Sequence, residues 1–461
     1  MKRVIIYMLA VVTMINAGCK KTYDDTVGGK TADQRISEAL AAYQKKLAGS
    51  TYGWIMLEST TGIAYNQGVS QTGPRIVLAY YMQFIDSSNV LMISDFDTSM
   101  AGTSKTSGYR IKQLTRPALI FDTYSYLHVP CDPDPVISKS PFGYGYGWGT
   151  DFEFSFADST VPTDAGDTIR LVGDLNGASG LLIKATQAQR DAYLQGLAKN
   201  EMNGLNNINN ILNYFKRLTI GGVNYDVRVD IVNRTITFTW VDGSGNLQSQ
   251  SGSYYITSTG INLANPIVNG NQTITSIGNI VWNAGTSTVT LAINGQQAQI
   301  TGVTTPVKAD AGAPSRWYNY SVNNGYFWAS WNGFHVNGVD DGFGVTQLSN
   351  SSGQFYYYAY WAGYFSNPAD LFIPVMYSGN SLFFNSYGTA PGTPQFVGGK
   401  AFFTEIGKPT GNPTPAGGPV DKSEQTLYNP AGFYLVQTGD KSYDMVLATD
   451  AKTWISWFWP Q

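Results

Sequence analysis

The chain has 461 residues, with 29 Lys and Arg against 32 Asp and Glu, and this length is enough for about three domains with cores of their own. Charged residues make up 13% and aromatic residues 14%, and the net charge of −3 leaves no basic footprint for nucleic acid. Two His residues argue against a His-rich zinc or di-iron site, and two Cys residues argue against a disulfide-rich scaffold. The sequence has no P-loop and no dinucleotide fingerprint that opens a helix, so we predict no cofactor. The 50 Gly residues with the low charge indicate a mainly β extracytoplasmic protein.

The N-terminus has the pattern of a secretory signal. Lys2 and Arg3 precede an apolar stretch over residues 4–15, which is too short to span a bilayer. The sequence Ala-Gly-Cys19 follows and is typical of a bacterial lipobox, although Asn16 stands where an aliphatic residue is usual.

This pattern predicts a lipid anchor. Residues 1–18 are interpreted as a lipoprotein signal peptide, Cys19 as the acylated new N-terminus and residues 19–30 as a tether. The expected location is the outer membrane, and the sequence leaves open whether the protein faces the cell surface or the periplasm. The alternative is an ordinary secretory signal with a coincidental Cys.

A helix and a β unit are predicted for residues 31–185. Thr31 is the cap candidate, and one helical face carries four apolar residues, Ile36, Leu40, Tyr43 and Leu47. From residue 54 to 183 the chain contains seven or eight short runs with period-two alternation, separated by turn residues. We predict an up-and-down antiparallel barrel or a sandwich.

Residues 186–303 repeat this organisation. Thr186 and Gln189 fit a capping box, and a helical stretch runs through Leu197 before strands resume near residue 226. We interpret the two units as copies of one lipocalin-like helix-plus-barrel unit. The alternative is that β-rich sequences resemble each other weakly without a duplication.

The composition changes after a linker predicted at residues 304–316. The segment 317–461 holds 33 of the 63 aromatic residues and 7 of the 11 Trp, and it has no Arg. Its strand-like runs predict a third, aromatic-rich β unit. The predicted fold class is therefore mainly β, with two helix-plus-β units followed by this third unit.

Several motifs of the first unit resemble a known family. They are Ser94-Asp-Phe-Asp97, Ser107-Gly-Tyr-Arg-Ile-Lys112, the run from Arg116 to His128 and Asp132-Pro-Asp-Pro135. Over about residues 30–200 the chain is similar to a Bacteroidota lipoprotein family, the domain of unknown function 4302. The resemblance implies a cell-envelope lipoprotein, often linked with TonB-dependent nutrient-uptake systems, and it supplies no catalytic residues.

The residues that could carry chemistry are few. His128 and His335 lie in different units without a nearby Cys or second His, so we interpret each as a hydrogen-bonded histidine and predict no metal site. Cys131 lacks a partner and is interpreted as an inert thiol.

Four carboxylates form a possible acidic or calcium site. Asp95 and Asp97 alternate on one predicted strand and would face the same side, and Asp132 and Asp134 lie in a stiff segment between prolines. The competing interpretation is that all four cap turns and strand ends.

Aromatic clusters in the third unit are the candidates for ligand binding. The predicted contact residues are Trp317, Trp328, Trp331, Tyr358 and Trp361. Because successive strand residues point to opposite faces, only about half of the run 355–361 can enter one core, and exposed aromatic rings bind sugar faces or apolar peptide side chains. The alternative is a sandwich whose two faces are both covered.

These observations predict a non-enzymatic envelope lipoprotein that binds a glycan or peptide ligand, or a partner in a TonB-dependent uptake complex. One alternative is a polysaccharide or peptide hydrolase that uses the Asp carboxylates, and another is a structural or adhesive surface protein.

Overall fold

The fold is seen in a computed structural model, which describes residues 28–157, 166–351, 353–364 and 369–460. The predicted signal peptide, the lipidation candidate Cys19 and most of the predicted tether lie outside the described residues. In the described chain, no helix combines the length and apolar character needed to cross a membrane. Two closed eight-stranded barrels precede a large sheet with an aromatic core, which confirms the predicted fold class.

The predicted N-terminal helix is confirmed as α1 (Ala32–Ala48). The Thr31 hydroxyl accepts a hydrogen bond from the Gln34 N–H, and the Gln34 side chain accepts one from the Thr31 N–H, which completes a capping box. Tyr43 on the buried face of α1 stacks on Phe156 with ring centroids 3.7 Å apart. This contact fixes the helix on the first barrel.

The described part of the first unit continues with strands and three short helices. The strands are β1 (Trp54–Ser59), β2 (Ile63–Asn66), β3 (Val69–Thr72), β4 (Val77–Phe84), β5 (Asn89–Ser94), β6 (Lys105–Gln113), β7 (Pro117–Phe121), β8 (Glu153–Phe156), β9 (Thr168–Gly173) and β10 (Ser179–Lys184). The helices are α2 (Thr98–Gly102), α3 (His128–Cys131) and α4 (Pro135–Ser138). Strands β2 and β3 form a separate hairpin, and the other eight strands close an antiparallel barrel in which β1 pairs with β4 and β10.

Large side chains such as Trp54 and Tyr80 fill the interior of this barrel. Among them lies the carboxyl of Glu58, which is completely buried. Its Oε1 accepts the Asp151 N–H at 2.7 Å, and the Tyr80 hydroxyl donates to Oε2 at 3.2 Å. Burial raises the pKa of Glu58 from 4.5 to about 8, so the neutral acid is the favoured form in the folded barrel at neutral pH.

The raised pKa of Glu58 makes the stability of the barrel pH-dependent. The stabilisation that the neutral Glu58 carboxyl provides is fully present below pH 4.5, its pKa in the unfolded chain. This stabilisation is lost as the pH rises towards 8, its pKa in the folded barrel. The variant Glu58→Gln stays neutral at this position. The difference in unfolding free energy between the variant and wild type should therefore shift by about 2 kcal/mol in favour of the variant from about pH 5.5 to about pH 7. Urea denaturation of both proteins at both pH values measures this gain, and a pH-independent difference would contradict the assignment.

The second unit begins with two helices. The predicted capping box is confirmed, because the Thr186 hydroxyl accepts the Gln189 N–H at the start of α5 (Gln187–Leu194). The predicted helical stretch is interrupted at Gly196, whose φ of +77° is left-handed, and a separate helix, α6 (Leu197–Asn207), follows. A short 3₁₀ turn then leads into the strands.

Eight strands form the second barrel. They are β11 (Phe215–Ile220), β12 (Val223–Asp230), β13 (Thr235–Val241), β14 (Leu247–Thr257), β15 (Gly260–Asn269), β16 (Gln272–Asn283), β17 (Thr288–Ile293) and β18 (Gln296–Val303). Each strand pairs with the next along the chain, and β18 closes the barrel on β11. The first barrel has the same up-and-down order apart from the inserted β2–β3 hairpin. That the two units are copies stays a prediction.

A buried ion pair joins the two barrels. Asp95, just after β5, and Arg234, between β12 and β13, are 1% and 7% exposed, and the Arg234 Nη2 donates to the Asp95 Oδ2. Arg234 Nη1 also donates to the Asp95 carbonyl oxygen at 2.9 Å. The carboxylate accepts two further backbone N–H groups, from Ala79 at 2.9 Å and Ile256 at 2.7 Å. Asp95 therefore connects β4 and β14 of different barrels.

The third unit contains one large sheet. Helix α7 (Ala313–Asn324) begins inside the predicted linker, and α8 (Pro419–Leu427) comes late in the unit. The strands are β19 (Trp328–Ser330), β20 (Phe334–Val336), β21 (Ser349–Asn350), β22 (Gly353–Trp361), β23 (Leu371–Ser378), β24 (Ser381–Phe384), β25 (Ala390–Pro391), β26 (Gln395–Val397), β27 (Lys400–Phe402), β28 (Glu405–Gly407), β29 (Phe433–Gly439), β30 (Ser442–Leu447) and β31 (Thr453–Phe458). The main order is β24-β23-β22-β19-β31-β30-β29-β27-β26, with β20 on β31 and β21 on β22, while β25 and β28 form a separate pair.

Candidate functional site

The sheet of the third unit has two chemically different faces. One face packs against α7 and forms the core of the unit, which includes the fully buried side chains Trp317, Trp328, Phe334, Tyr358, Tyr360, Phe372, Phe433 and Trp457. This side of the sheet is closed to a ligand.

Three of the five predicted ligand contacts belong to this core. Trp317, Trp328 and Tyr358 are each 0% exposed, and the Trp328 indole N–H donates to the Trp317 carbonyl oxygen at 2.8 Å. Their rings cannot touch a ligand in this structure, which corrects their predicted role. Alternation along β22 directs Tyr358 and its neighbour Tyr360 inward, and Trp317 lies on the buried side of α7.

The other two predicted contacts lie on the opposite face. Trp331 is 53% exposed and Trp361 is half-buried. They belong to a set of accessible rings that we call the aromatic face. Its members are Tyr326, Trp331, Tyr356, Trp361, Tyr364, Tyr377 and Phe384.

The rings of the aromatic face contact one another along the sheet. Centroids of Trp331 and Tyr356 are 5.7 Å apart, as are those of Tyr356 and Tyr377. A second series runs from Trp361 to Tyr364 at 4.9 Å and on to Phe384 at 5.7 Å. Offset and edge-to-face contacts of this length hold aromatic rings in place, so the aromatic face is a supported surface.

A β-bulge in β22 helps to form this surface. Phe355 pairs with Met376 and Tyr357 with Val375, so Tyr356 has no place in the ladder and its ring is 42% exposed. Simple alternation therefore cannot assign the residues of the run 355–361 to the two faces. Tyr356 was not among the predicted ligand contacts for this reason.

Next to Trp331, the outer face becomes polar. A groove of about 310 Å³, which we call the polar groove, begins at this ring. Its lining includes Ser330, Trp331, Asn332, His335, Asp340, Asp341, Ser442, Asp444, Trp454, Ser456 and Phe458. Trp331 itself stacks on Phe458, with centroids 4.6 Å apart and planes at 15°. The groove and the aromatic face therefore share one tryptophan.

His335 is held firmly in the polar groove. Its ring stacks at 3.6 Å on Trp454, its cross-strand neighbour on β31. Nε2 accepts the Gly338 N–H at 3.1 Å, which leaves Nδ1 as the donor to Asp340 Oδ1 at 2.7 Å in the neutral ring. The Asp340 side chain is 77% exposed, so it keeps acceptor capacity for a ligand hydroxyl. Asp340 and Trp454 were not singled out from the sequence.

The second barrel contacts another part of this sheet face. The Tyr214 hydroxyl donates to Asp444 Oδ2 at 2.7 Å, and Phe215 packs edge-on against Tyr434 at 6.0 Å. Val436 joins the same cluster. The aromatic face and the surface that contacts the second barrel thus lie on the same side of the sheet.

The four predicted acidic residues have structural partners. Strand β5 ends at Ser94, so Asp95 and Asp97 do not share a strand as predicted. Asp95 is bound in the ion pair with Arg234, and Asp97 caps α2 by accepting the Met100 N–H at 2.8 Å. These roles correct the prediction that both carboxylates face the same side of one strand.

Asp132 and Asp134 lie together but organise a turn. Asp132 accepts the Asp134 N–H at 2.9 Å and the Tyr124 hydroxyl at 2.7 Å, while Asp134 caps α4 by accepting the Val136 N–H at 2.8 Å. In the described chain, no group of three or more His, Cys, Asp or Glu side chains could hold a metal ion.

Cys131 and His128 also have local partners. The Cys131 thiol donates to the Leu127 carbonyl oxygen at 3.2 Å and lies 3.1 Å from the Thr150 hydroxyl, and burial raises its pKa. The His128 Nδ1 lies 3.0 Å from the Ser125 hydroxyl, and burial and the charge of Lys105 lower the pKa of the ring. A thiol with a raised pKa is a poor nucleophile at neutral pH.

Comparison with known proteins gives one match. The family described as Domain of unknown function (DUF4302) matches residues 24–284, from before α1 to the end of β16. This match confirms the resemblance seen in the sequence and extends it into the second barrel. The third unit, with the aromatic face, lies beyond the matched residues, and no curated protein or solved structure matches the chain significantly.

Proposed function

Since this chain belongs to the family described as Domain of unknown function (DUF4302), we propose its function from its own residues. It is a lipid-anchored envelope protein without enzymatic activity, and it binds a glycan on the aromatic face and in the polar groove. It serves an outer-membrane nutrient-uptake system as an accessory component.

The observation that carries this proposal is the junction at Trp331. A sugar ring has an apolar C–H face and a polar rim of hydroxyls, so it needs a flat ring and hydrogen-bonding groups side by side. Trp331, fixed by Phe458 and 53% exposed, offers the flat ring, and the adjoining groove offers Asp340 and the hydroxyls of Ser442 and Ser456. A glycan chain longer than one sugar can continue along Tyr356 and Tyr377.

The location part of the proposal is supported by the N-terminal sequence. A basic start, a short apolar stretch and Ala-Gly-Cys19 together form the pattern of a lipoprotein signal. Acylation at Cys19 tethers the folded units to a membrane without a membrane-spanning helix.

The binding part is tested with the protein from residue 20 onward and Trp331→Ala. We expect this variant to bind the glycan about tenfold more weakly, because the stacking surface is lost while the fold is kept. The matched control is Tyr144→Ala, which removes a ring that is 76% exposed on the first unit. Isothermal titration of wild type and both variants with the same glycan gives the three affinities.

Two results would overturn the proposal. One is equal affinity of wild type and the Trp331→Ala variant, and the other is binding of peptides with no binding of glycans. Turnover of the glycan during the titration would favour the hydrolase instead.

A further inference from the structure

A second cleft lies between the second barrel and the third unit, away from Trp331. Its volume is about 410 Å³, within the range of sites that hold small molecules. One wall is the outside of β12–β14, the opposite wall is β29 with Trp454, and residues 306–310 cross one side. We call it the barrel–sheet cleft.

Apolar side chains contribute much of the cleft. Tyr214, Phe215, Tyr434, Val436 and Trp454 line it, and the rings of Tyr214 and Trp454 meet edge-on at 5.4 Å. These residues also belong to the small apolar cluster that joins the second barrel to the third unit. The contacts that hold the two units together therefore also fix the floor of the cleft.

The carboxylates that line the cleft are already satisfied. Asp226 accepts the Arg217 Nε at 2.7 Å and the Val307 N–H at 2.5 Å. Asp310 accepts the Arg316 Nη2 at 2.6 Å. Neither has an unmet charge to offer a cationic ligand.

The positively charged side chains of the cleft, unlike these carboxylates, are not neutralised by a partner of opposite charge among the described residues. Lys216, Arg228 and Lys308 line the cleft, and none has a carboxylate within salt-bridge distance among the described residues. Lys216 Nζ donates to the Asn213 carbonyl oxygen at 2.9 Å, and Lys308 Nζ donates to the Gly245 carbonyl oxygen. Arg228 and Lys308 are exposed, so their charges can reach a ligand.

We propose that the barrel–sheet cleft binds a small organic anion with an apolar body, whose charged group is held by Arg228 and Lys308. The apolar body lies against Trp454 and Tyr434, and the anionic group lies towards the two exposed cations. A cationic or purely polar ligand would leave either the cations or the aromatic floor without a partner.

One further feature agrees with an anionic ligand. Burial lowers the pKa of Lys216 to about 8, so this ammonium lacks stabilisation that an anion in the cleft would supply.

A matched pair of fluorescent probes tests the proposal on the protein from residue 20 onward. Anilinonaphthalene sulfonate carries one negative charge, and phenylnaphthylamine has the same rings without the sulfonate. We expect the double variant Arg228→Gln/Lys308→Gln to bind the sulfonate about tenfold more weakly and the neutral probe as wild type does. The control Lys112→Gln/Arg116→Gln removes the same charge from exposed positions of the first barrel.

Two more variants locate the probe. Thr239→Trp puts a large ring into the cleft and is expected to abolish binding of both probes, whereas Trp331→Ala on the aromatic face is expected to leave both unchanged. Unchanged sulfonate affinity in the Arg228→Gln/Lys308→Gln variant would overturn the proposal. Loss of sulfonate binding in the Trp331→Ala variant would do so as well, because it would place the probe on the aromatic face.

Discussion

The variant Asp95→Ala is expected to have a free energy of unfolding about 3–5 kcal/mol below that of wild type. In wild type, the carboxylate offsets the buried charge of Arg234 and accepts backbone N–H groups from two different barrels. Alanine leaves the guanidinium unpaired inside the interface, at a position that is 7% exposed. Removing one partner of a buried ion pair costs more than the pair itself contributes, because the remaining charge stays desolvated.

Urea denaturation of the purified variant measures this loss. The matched control is Asp97→Ala, two residues further on, which removes only the cap of α2 and should cost about 1 kcal/mol. The double variant Asp95→Ala/Arg234→Ala should lose less than the sum of the two single losses, since no unpaired charge remains. Equal, small losses for the variants at 95 and 97 would show that the ion pair does not hold the barrels together.

The variant Trp328→Ala is expected to lose about 3–5 kcal/mol of unfolding free energy. Its indole is fully buried between the rings of Tyr320, Tyr443 and Trp459, with centroids 5.1–5.5 Å away. Alanine at this position leaves a cavity that the surrounding sheet cannot fill, and it also removes the N–H that binds the Trp317 carbonyl oxygen.

Trp331→Ala is the control for this variant, because the two tryptophans lie three positions apart on opposite faces of the sheet. Trp331→Ala should change the free energy of unfolding by no more than about 1 kcal/mol, because the ring is exposed. Its main effect should be on glycan binding. Thermal and urea unfolding of both variants separates the two roles. A Trp328→Ala protein as stable as wild type would contradict the position of Trp328 in the core.

Local features of the fold could be predicted because their causes are local. The caps at Thr31 and Thr186 use a hydroxyl and a Gln three residues later, and both the residue types and their spacing are visible in the sequence. The change to an aromatic-rich β unit after residue 316 is a matter of composition and needed no contact information.

The faces of the third sheet could be predicted only in part. Alternation correctly implied that half of the run 355–361 would lie outside the core, but it did not say which half. The bulge at Tyr356 and the covering helix α7 decide that question, and both depend on contacts with other strands. Tyr358 and Trp361 were both predicted to contact a ligand, but Tyr358 lies in the core and only Trp361 lies on the outer face.

Asp95 could not be interpreted from sequence because its partner is distant. Arg234 lies 139 positions away in another barrel, and no local pattern links the two residues. A pair of acids spaced by one residue suggested a shared side, whereas one of them became a cap and the other an inter-barrel ion pair.

The most direct test of glycan binding is an array that carries glycans and peptides together, probed with wild type, Trp331→Ala and Tyr144→Ala. Wild type and Tyr144→Ala should retain the same class of glycans, and Trp331→Ala should lose it. Retention of the glycans by Trp331→Ala, or retention of peptides alone by all three proteins, would contradict the account.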